Sequence, residues 1–497
     1  MSDLASRVIE RVRTAALERA AARGASHAEV RVEQIRGQYL SLRDREVETT
    51  IDDTEVGVSV RVVHDGAIGF AATVEVDADA AVALVDQALE SARVTARAGG
   101  RRVELVPEPS HGSVEWQAPF TRDPTEVPLR EKIALFKALS SSVLAEAGID
   151  HVFARLAVTR EEKYYADLAG TVTDQRRVRI HPTVEALAVS DDGSFETMRT
   201  IAPPAGRGWE YLEGEGCDFA GDVAQLAPLL RDKLVAPTVE AGTYDLVIDP
   251  SNLWLTIHES IGHATELDRA LGYEAAYAGT SFATLDKLGS LQYGSSIMNV
   301  TGDRTAPFGL ATIGYDDEGV EAQSFDIVRD GVLVGYQLDR TIATEAGLSR
   351  SNGCAYASSP LLIPIQRMAN VSLQPSTSDD ATTADLIAEV DRGIYIVGDK
   401  SWSIDMQRYN FQFTGQRFFM IEGGQLVGQL RDVAYQATTT EFWGSMARLG
   451  GPSTYVLGGA VNCGKGQPGQ SAPVSHGCPS ALFRGVRVLN TKSESTR

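Results

Sequence analysis

Residues 242–270 read GTYDLVIDPSNLWLTIHESIGHATELDRA. The first nine have the apolar density of a buried strand, and Pro250 ends it, because proline brings no N–H to a sheet ladder. Ser251 or Asn252 then stands where a helix N-cap is expected. The predicted helix carries His258, Glu259 and His263. Histidine, acid, histidine is the order of a zinc-protease helix, but the usual H-E-x-x-H places its imidazoles four residues apart, and these are five apart.

That extra residue has a geometric consequence. On an α-helix, positions four apart lie about 40° apart around the axis and positions five apart about 140°. To bring both ring nitrogens to about 2.0–2.1 Å from one ion, the backbone must leave regular α geometry, either as a π-bulge or by ending between the histidines. Gly262, immediately before His263, is the residue expected to permit this.

A catalytic zinc commonly takes three protein ligands and keeps a fourth position for water. Glu259 is needed as the base, so the third ligand comes from elsewhere. Glu266 reads as a ligand or as an acid holding an imidazole, and Asp268 is also near in sequence. A thiolate is the other choice. Cys463 lies in GGAVNCGKGQPGQ, where Lys465 would favour the charged sulfur; Cys478, in SHGCPS with His476 two residues before it, is its competitor.

Working outward, the C-terminal half is rich in strands, with an Asp330-Gly331 hairpin in AQSFDIVRDGVLVGYQLD and further strands in GIYIVGD and RYNFQFTGQRFFMIEGGQLVGQL, which predict a twisted antiparallel sheet. The N-terminal half opens with an amphipathic helix over 3–24, continues with strands that include an Asp65-Gly66 hairpin, and adds a helix over 77–96 opened by Asp77 or Asp79. Residues 98–128, dense in proline and glycine, read as a linker or surface excursion. A helix near 129–147, strands near 152–159, 163–166 and 182–200, and a helix ending near Leu234 follow. The expected class is α+β: an N-terminal α+β domain over 1–235 with a sub-boundary near 98–128, then a strand-rich domain over 236–497 with one metal-binding helix.

The chain has 497 residues, 43% of them hydrophobic, and a formal charge of −21. That charge argues against direct nucleic-acid binding or an anionic membrane surface. No stretch is apolar and long enough to cross a bilayer, and the charged N-terminus lacks the apolar segment of a signal peptide, so a cytoplasmic location is expected. Four scattered cysteines do not form a disulfide framework.

HESIGHATELD joined to a later CGKGQPGQ resembles the TldD branch of the TldD/PmbA family, zinc metalloproteases also described as modulators of DNA gyrase and as microcin-maturation proteases. VGVSVRVVHDGAIGFA, PIQRMANVSLQP and RYNFQFTGQRFFMIEGGQL are similar to further segments of that family. The resemblance implies one zinc per chain held by His258, His263 and Cys463, with Glu259 as catalytic acid/base. It also implies a two-domain protomer, a dimer with a TldE/PmbA-type paralogue or with itself, and an enclosed site that admits extended or unfolded peptide.

Under that reading Glu259 takes a proton from a zinc-activated water and passes it to the leaving amine. Tyr409 is a candidate for stabilising the oxyanion, or a half-buried strand aromatic; Arg367 could hold a peptide carboxylate or a structural salt bridge. The alternative function is a non-catalytic peptide-binding or regulatory scaffold with a structural zinc. Such a site usually has four protein ligands and gives Glu259 no purpose.

Overall fold

The computed structural model describes residues 3–99, 102–190 and 193–494, so Gly100 and Arg101 of the expected linker and residues 191 and 192 of the strand expected over 182–200 lie outside it. The architecture is α+β, as expected. In the N-terminal part, strands β1 (His27–Arg43), β2 (Glu46–His64), β3 (Ala67–Thr73), β4 (Ser113–Gln117), β5 (His151–Asp167), β6 (Val172–Val189) and β7 (Phe195–Arg199) form one sheet. Its order is β3-β2-β1-β5-β6-β4, with β7 also on β6. Asp65 and Gly66 turn β2 into β3 with φ of 54° and 74°, the doubly positive φ that the Asp-Gly signal predicts. Helices Asp3–Ala22 and Ala78–Arg97 cover one end of the sheet, burying Ile9, Val12, Leu84 and Leu89 against Val30 and Val60. Asp77 is the N-cap of the second helix and accepts from the Ala80 N–H.

Two segments differ from the sequence reading. The proline-rich stretch supplies β4, which pairs in parallel with β6, so strands before, within and after it share one sheet. The β6 strand also begins at Val172, well ahead of the expected 182. Its first half contains Arg177 and Arg179, whose polarity hides a buried strand; both guanidinium groups pair with buried Glu161 on β5.

In the C-terminal part, β8 (Gly242–Ile248) leads into the helix Pro250–Ile257. Asp249 is its N-cap, two residues before Ser251 and three before Asn252, because Pro250 occupies the first helical position, where a missing N–H costs nothing. A four-stranded sheet of β9 (Val300–Asp303), β10 (Ser324–Arg329), β11 (Val332–Leu333) and β14 (Asn370–Leu373) lies beyond, with a short pair β12 (Ala355–Tyr356) and β13 (Ile365–Gln366).

The second large sheet contains β8, β15 (Arg392–Ile404), β16 (Asn410–Glu422), β17 (Gln425–Leu430), β18 (Val433–Thr438), β19 (Met446–Leu449) and β22 (Ala481–Asn490). Because β15 bonds both β8 and β16, the path β15-β8-β22-β18-β16 closes on itself. It is mostly antiparallel, as expected, with β8 and β15 parallel. Phe411, Phe413, Tyr435, Phe442 and Phe483 belong to its core. The helix is fastened to this sheet by Asn252, which donates to the carbonyls of Gly398 and Thr414 and accepts from the Tyr435 hydroxyl. Finally, β20 (Val456–Lys465) and β21 (Gln470–Cys478) form a separate two-stranded ribbon against the helix. Buried ion pairs join the two parts: Lys163 and Arg31 with Asp317, and Arg61 with Glu318. Among the described residues no helix is long and apolar enough to cross a membrane.

Candidate metal centre

The helix begun at Pro250 changes character at its first histidine. Residues His258–Gly262 form a π-helical turn, in which the N–H of His263 bonds the carbonyl of His258, and a 3-10 turn over His263–Thr265 follows. The wider π turn compensates for the fifth residue, and the two imidazoles face each other with ring centroids 4.7 Å apart. Gly262 is needed for a different reason from the expected one. Its φ of −52° is ordinary helix, but a Cβ there would stand 2.6 Å from the Met368 sulfur and 3.4 Å from Cε1 of His476. It is a close approach, not an unusual backbone, that calls for glycine.

Cys463 arrives on β20 at an irregularity in its pairing with β21, between Ala460 and Cys463, and such bulges re-aim a side chain. Its sulfur lies 3.6 Å from Nε2 of His263, and the potential ligand atoms of His258, His263 and Cys463 all lie within 4.8 Å of one another. All three residues are buried.

The partners behind the histidines settle which nitrogen each presents. His476 places Nδ1 2.8 Å from the Val371 carbonyl, to which it donates, leaving Nε2 as an acceptor 2.7 Å from Nδ1 of His258. His258 therefore donates from Nδ1 and keeps the lone pair on Nε2. On the other side, Nδ1 of His263 donates to Glu266 at 2.7 Å, and its Nε2 also faces the cluster. Burial pushes His263 down to about 3, His476 to about 4 and His258 well below its ordinary value, so all three rings are neutral, the form in which imidazole ligates.

Glu266 is thus the acid holding an imidazole, the second of the two readings its sequence position allowed. Its other oxygen takes Lys465 at 2.9 Å, and the same ammonium bonds Asp268 at 2.8 Å and Gln366. Lys465 is engaged by carboxylates, and its charge favours the anionic sulfur as expected but less than that of Arg367; burial outweighs both and pushes the Cys463 thiol up to about 11. A bound metal ion would favour the thiolate at Cys463, since a coordinating thiol is held deprotonated. Cys478 is excluded from the cluster, its sulfur lying 3.7 Å from the Pro250 carbonyl. Arg367 is buried and donates to the backbone carbonyls of Cys463 and Gln470, which pins β20 to β21 beside the cluster.

Glu259 is 5% exposed, and burial raises its pKa above the ordinary carboxylate value against the opposing charge of Arg408. It has a partner that sequence reasoning missed: Nη1 of Arg408 stands 2.6 Å from its Oε2. Tyr409, the neighbour singled out in the sequence, turns away toward Phe282 and the Thr440 hydroxyl. Arg408, Glu259 and the three cluster residues line one cavity of about 490 Å³, together with Trp254, Trp402, Ser251 and residues 458–464 of β20.

The donor set suits zinc: two imidazoles and a thiol match its preference for nitrogen and sulfur, and three protein ligands leave a position open. The family model for the PmbA/TldA metallopeptidase C-terminal domain matches residues 241–490, and the model for domain 1 of the same family matches residues 28–92. A metalloprotease of Methanothermobacter thermautotrophicus is 27% identical over 94% of this chain and 96% of its own length. A zinc metalloprotease TldD homolog of Saccharolobus solfataricus is 22% identical over 94% of this chain and 97% of its own. The crystal structure of TldE from Thermococcus kodakarensis superposes with a TM-score of 0.70 at 16% identity, covering 97% of this chain and 99% of that one, which shows a shared fold. With matched regions in both parts and the C-terminal model spanning half its length, the chain belongs to the TldD/PmbA metallopeptidase family.

Proposed function

We propose that this protein is a zinc-dependent peptidase that hydrolyses peptide bonds in extended or unfolded peptides, with His258, His263 and Cys463 holding one zinc per chain and Glu259 acting as general acid/base. The observation that carries the reading is the convergence of one potential ligand atom each from His258, His263 and Cys463 beside a buried carboxylate in one cavity. Zinc held there supplies Lewis acidity, which polarises a carbonyl and lets water attack near neutral pH.

The chain's own residues do the rest. Glu259 accepts one proton from the attacking water and delivers it to the amide nitrogen as the C–N bond breaks, so one water is consumed and a carboxyl and an amine are formed. His476 and Glu266 hold the two imidazoles in the tautomer that leaves Nε2 free. The outer edge of β20 has no partner strand among the described residues and lines the cavity, so an extended peptide can pair with it through main-chain hydrogen bonds while its side chains vary. Three candidate ligands rather than four also speak for a catalytic over a structural zinc.

Two units, 1–235 and 236–497, with a dimer formed by a TldE/PmbA-type paralogue or a second copy in the cytoplasm, complete the reading; the structural likeness to a TldE supports the pairing. The test is zinc content together with cleavage of an unfolded peptide by wild type and Glu259→Gln, alone and with a TldE-type paralogue. Near one zinc per chain in both proteins, with cleavage by the wild type alone, is expected. Equal behaviour of the two proteins in the cleaving assembly would make the metal structural.

A further inference from the structure

The peptidase reading leaves one need unmet: a donor for the oxygen on which negative charge builds as the carbonyl is attacked. Preorganised donors at that position are among the largest contributions to catalysis. Other basic side chains near the cluster are committed elsewhere. Arg199 bonds Asp399, Arg367 bonds two backbone carbonyls, and Lys465 lies among carboxylates. Arg269 pairs with Glu274 and the Ala278 carbonyl. The Nε–H groups of Arg269 and Arg367 are, like that of Arg408, buried without a hydrogen-bond partner among the described residues; what sets Arg408 apart is its contact with the base, Glu259, to which it gives Nη1. An orphaned N–H on a charged group costs free energy unless something outside the chain completes it.

Its position is fixed. Arg408 sits in the turn between β15 and β16 with φ of 63°, a conformation a non-glycine residue keeps only when its surroundings enforce it. Those surroundings are visible: its N–H bonds the Asp405 carbonyl, and its own carbonyl accepts from the Thr439 hydroxyl at 2.7 Å. The preceding carbonyls of Met406 and Gln407 accept from Thr280 and Phe282. The turn is therefore docked on two neighbouring segments, and the guanidinium is aimed from it into the cavity that holds the cluster.

We infer that Arg408 is a catalytic residue that binds the carbonyl oxygen of the scissile peptide bond through its guanidinium N–H groups. The inference rests on the peptidase reading. What selects the scissile carbonyl over a substrate side chain or a terminal carboxylate is contact with the base itself. Glu259 must reach the nitrogen of the bond being broken, so a group 2.6 Å from Glu259 stands beside the reacting atoms. A pocket for a neighbouring side chain would be offset along the peptide by about 3.3 Å or more.

The test uses the zinc-loaded full chain in the assembly that cleaves an unfolded peptide, together with a phosphinic analogue in which PO₂⁻–CH₂ replaces the scissile CO–NH. Arg408→Ala and Arg408→Gln should lower kcat roughly 100- to 1000-fold with KM changed less than about threefold. Binding of the phosphinic peptide should weaken by a similar factor to kcat, with zinc content and thermal midpoint held. Arg408→Lys should recover part of the loss. In a Glu259→Gln background, Arg408→Ala should still weaken the phosphinic peptide, which a residue acting only through Glu259 would not do. A kcat within about threefold of wild type, a rise in KM with kcat preserved, or unchanged phosphinic binding in the Glu259→Gln background each overturns the inference while leaving the peptidase reading intact. A zinc-loaded wild type that cleaves no peptide in any assembly overturns the peptidase reading, and this inference with it.

Discussion

Replacing His476 with leucine probes how the centre is built without touching any of its three candidate ligands. His476 offers Nε2 to His258 only because its Nδ1–H is already given to the Val371 carbonyl. Leucine fills much of the same volume but leaves the Nδ1–H of His258 buried without an acceptor, a cost of about 1–3 kcal/mol. It also frees the imidazole to rotate or change tautomer. Loss of such an outer partner typically weakens metal binding about 10- to 100-fold, which converts to about 1.4–2.7 kcal/mol, the same size as the unpaired N–H. Zinc affinity measured by competition with a chromophoric chelator should therefore fall by that factor. Cys478→Ala, two positions along the same strand, should change it less than about threefold, since that sulfur contacts the Pro250 carbonyl instead. An affinity for His476→Leu within threefold of wild type would refute the tautomer argument.

Three further outcomes follow from the geometry. Gly262→Ala places a Cβ 2.6 Å from the Met368 sulfur and should destabilise the chain by about 1–3 kcal/mol in urea unfolding, with part of the loss restored by adding Met368→Ala. Lys465→Met leaves Glu266 and Asp268 buried without their cation and should cost about 3–5 kcal/mol in the same assay; a loss below 1 kcal/mol would mean those acids are neutral in the fold. In metal-free protein, His476 at about 4 and His263 at about 3 both lie below their ordinary value of 6.5. The unfolded chain therefore binds protons first on acidification, and their contribution, complete above pH 6.5, should disappear as pH falls from 6.5 through about 4 and then 3. Thermal midpoints across that range should show a shallower dependence for His476→Leu than for wild type.

Local chemistry made much of this protein readable in advance. Asp65-Gly66 and Asp330-Gly331 turn hairpins as their type demands. The run from Gly242 to Pro250 holds its strand, which ends at Ile248 just ahead of the proline, and the five-residue histidine spacing required a departure from α geometry, which is present as the π turn at His258–Gly262. Where the reading failed, the cause lies in contacts distant in sequence. The first half of β6 looked too polar for a buried strand because its arginines find Glu161 on the neighbouring strand. The role of Gly262 belongs to Met368, and that of His476 to His258, 218 residues earlier. Choosing between Arg408 and Tyr409 required knowing how the turn before β16 sits on the segment near Phe282, information no local pattern carries. The same applies to Lys465: its place in the sequence suggested its favourable charge near Cys463, but not its direct bonds to Glu266 and Asp268.

The most direct measurement is X-ray absorption at the zinc edge on the zinc-loaded protein, wild type beside Cys463→Ser. The account predicts one sulfur at about 2.3 Å, two imidazole nitrogens at about 2.0–2.1 Å and one further light atom from solvent, with the sulfur contribution gone in the variant. A shell with no sulfur, or one whose fourth position is filled by another protein ligand, would contradict it.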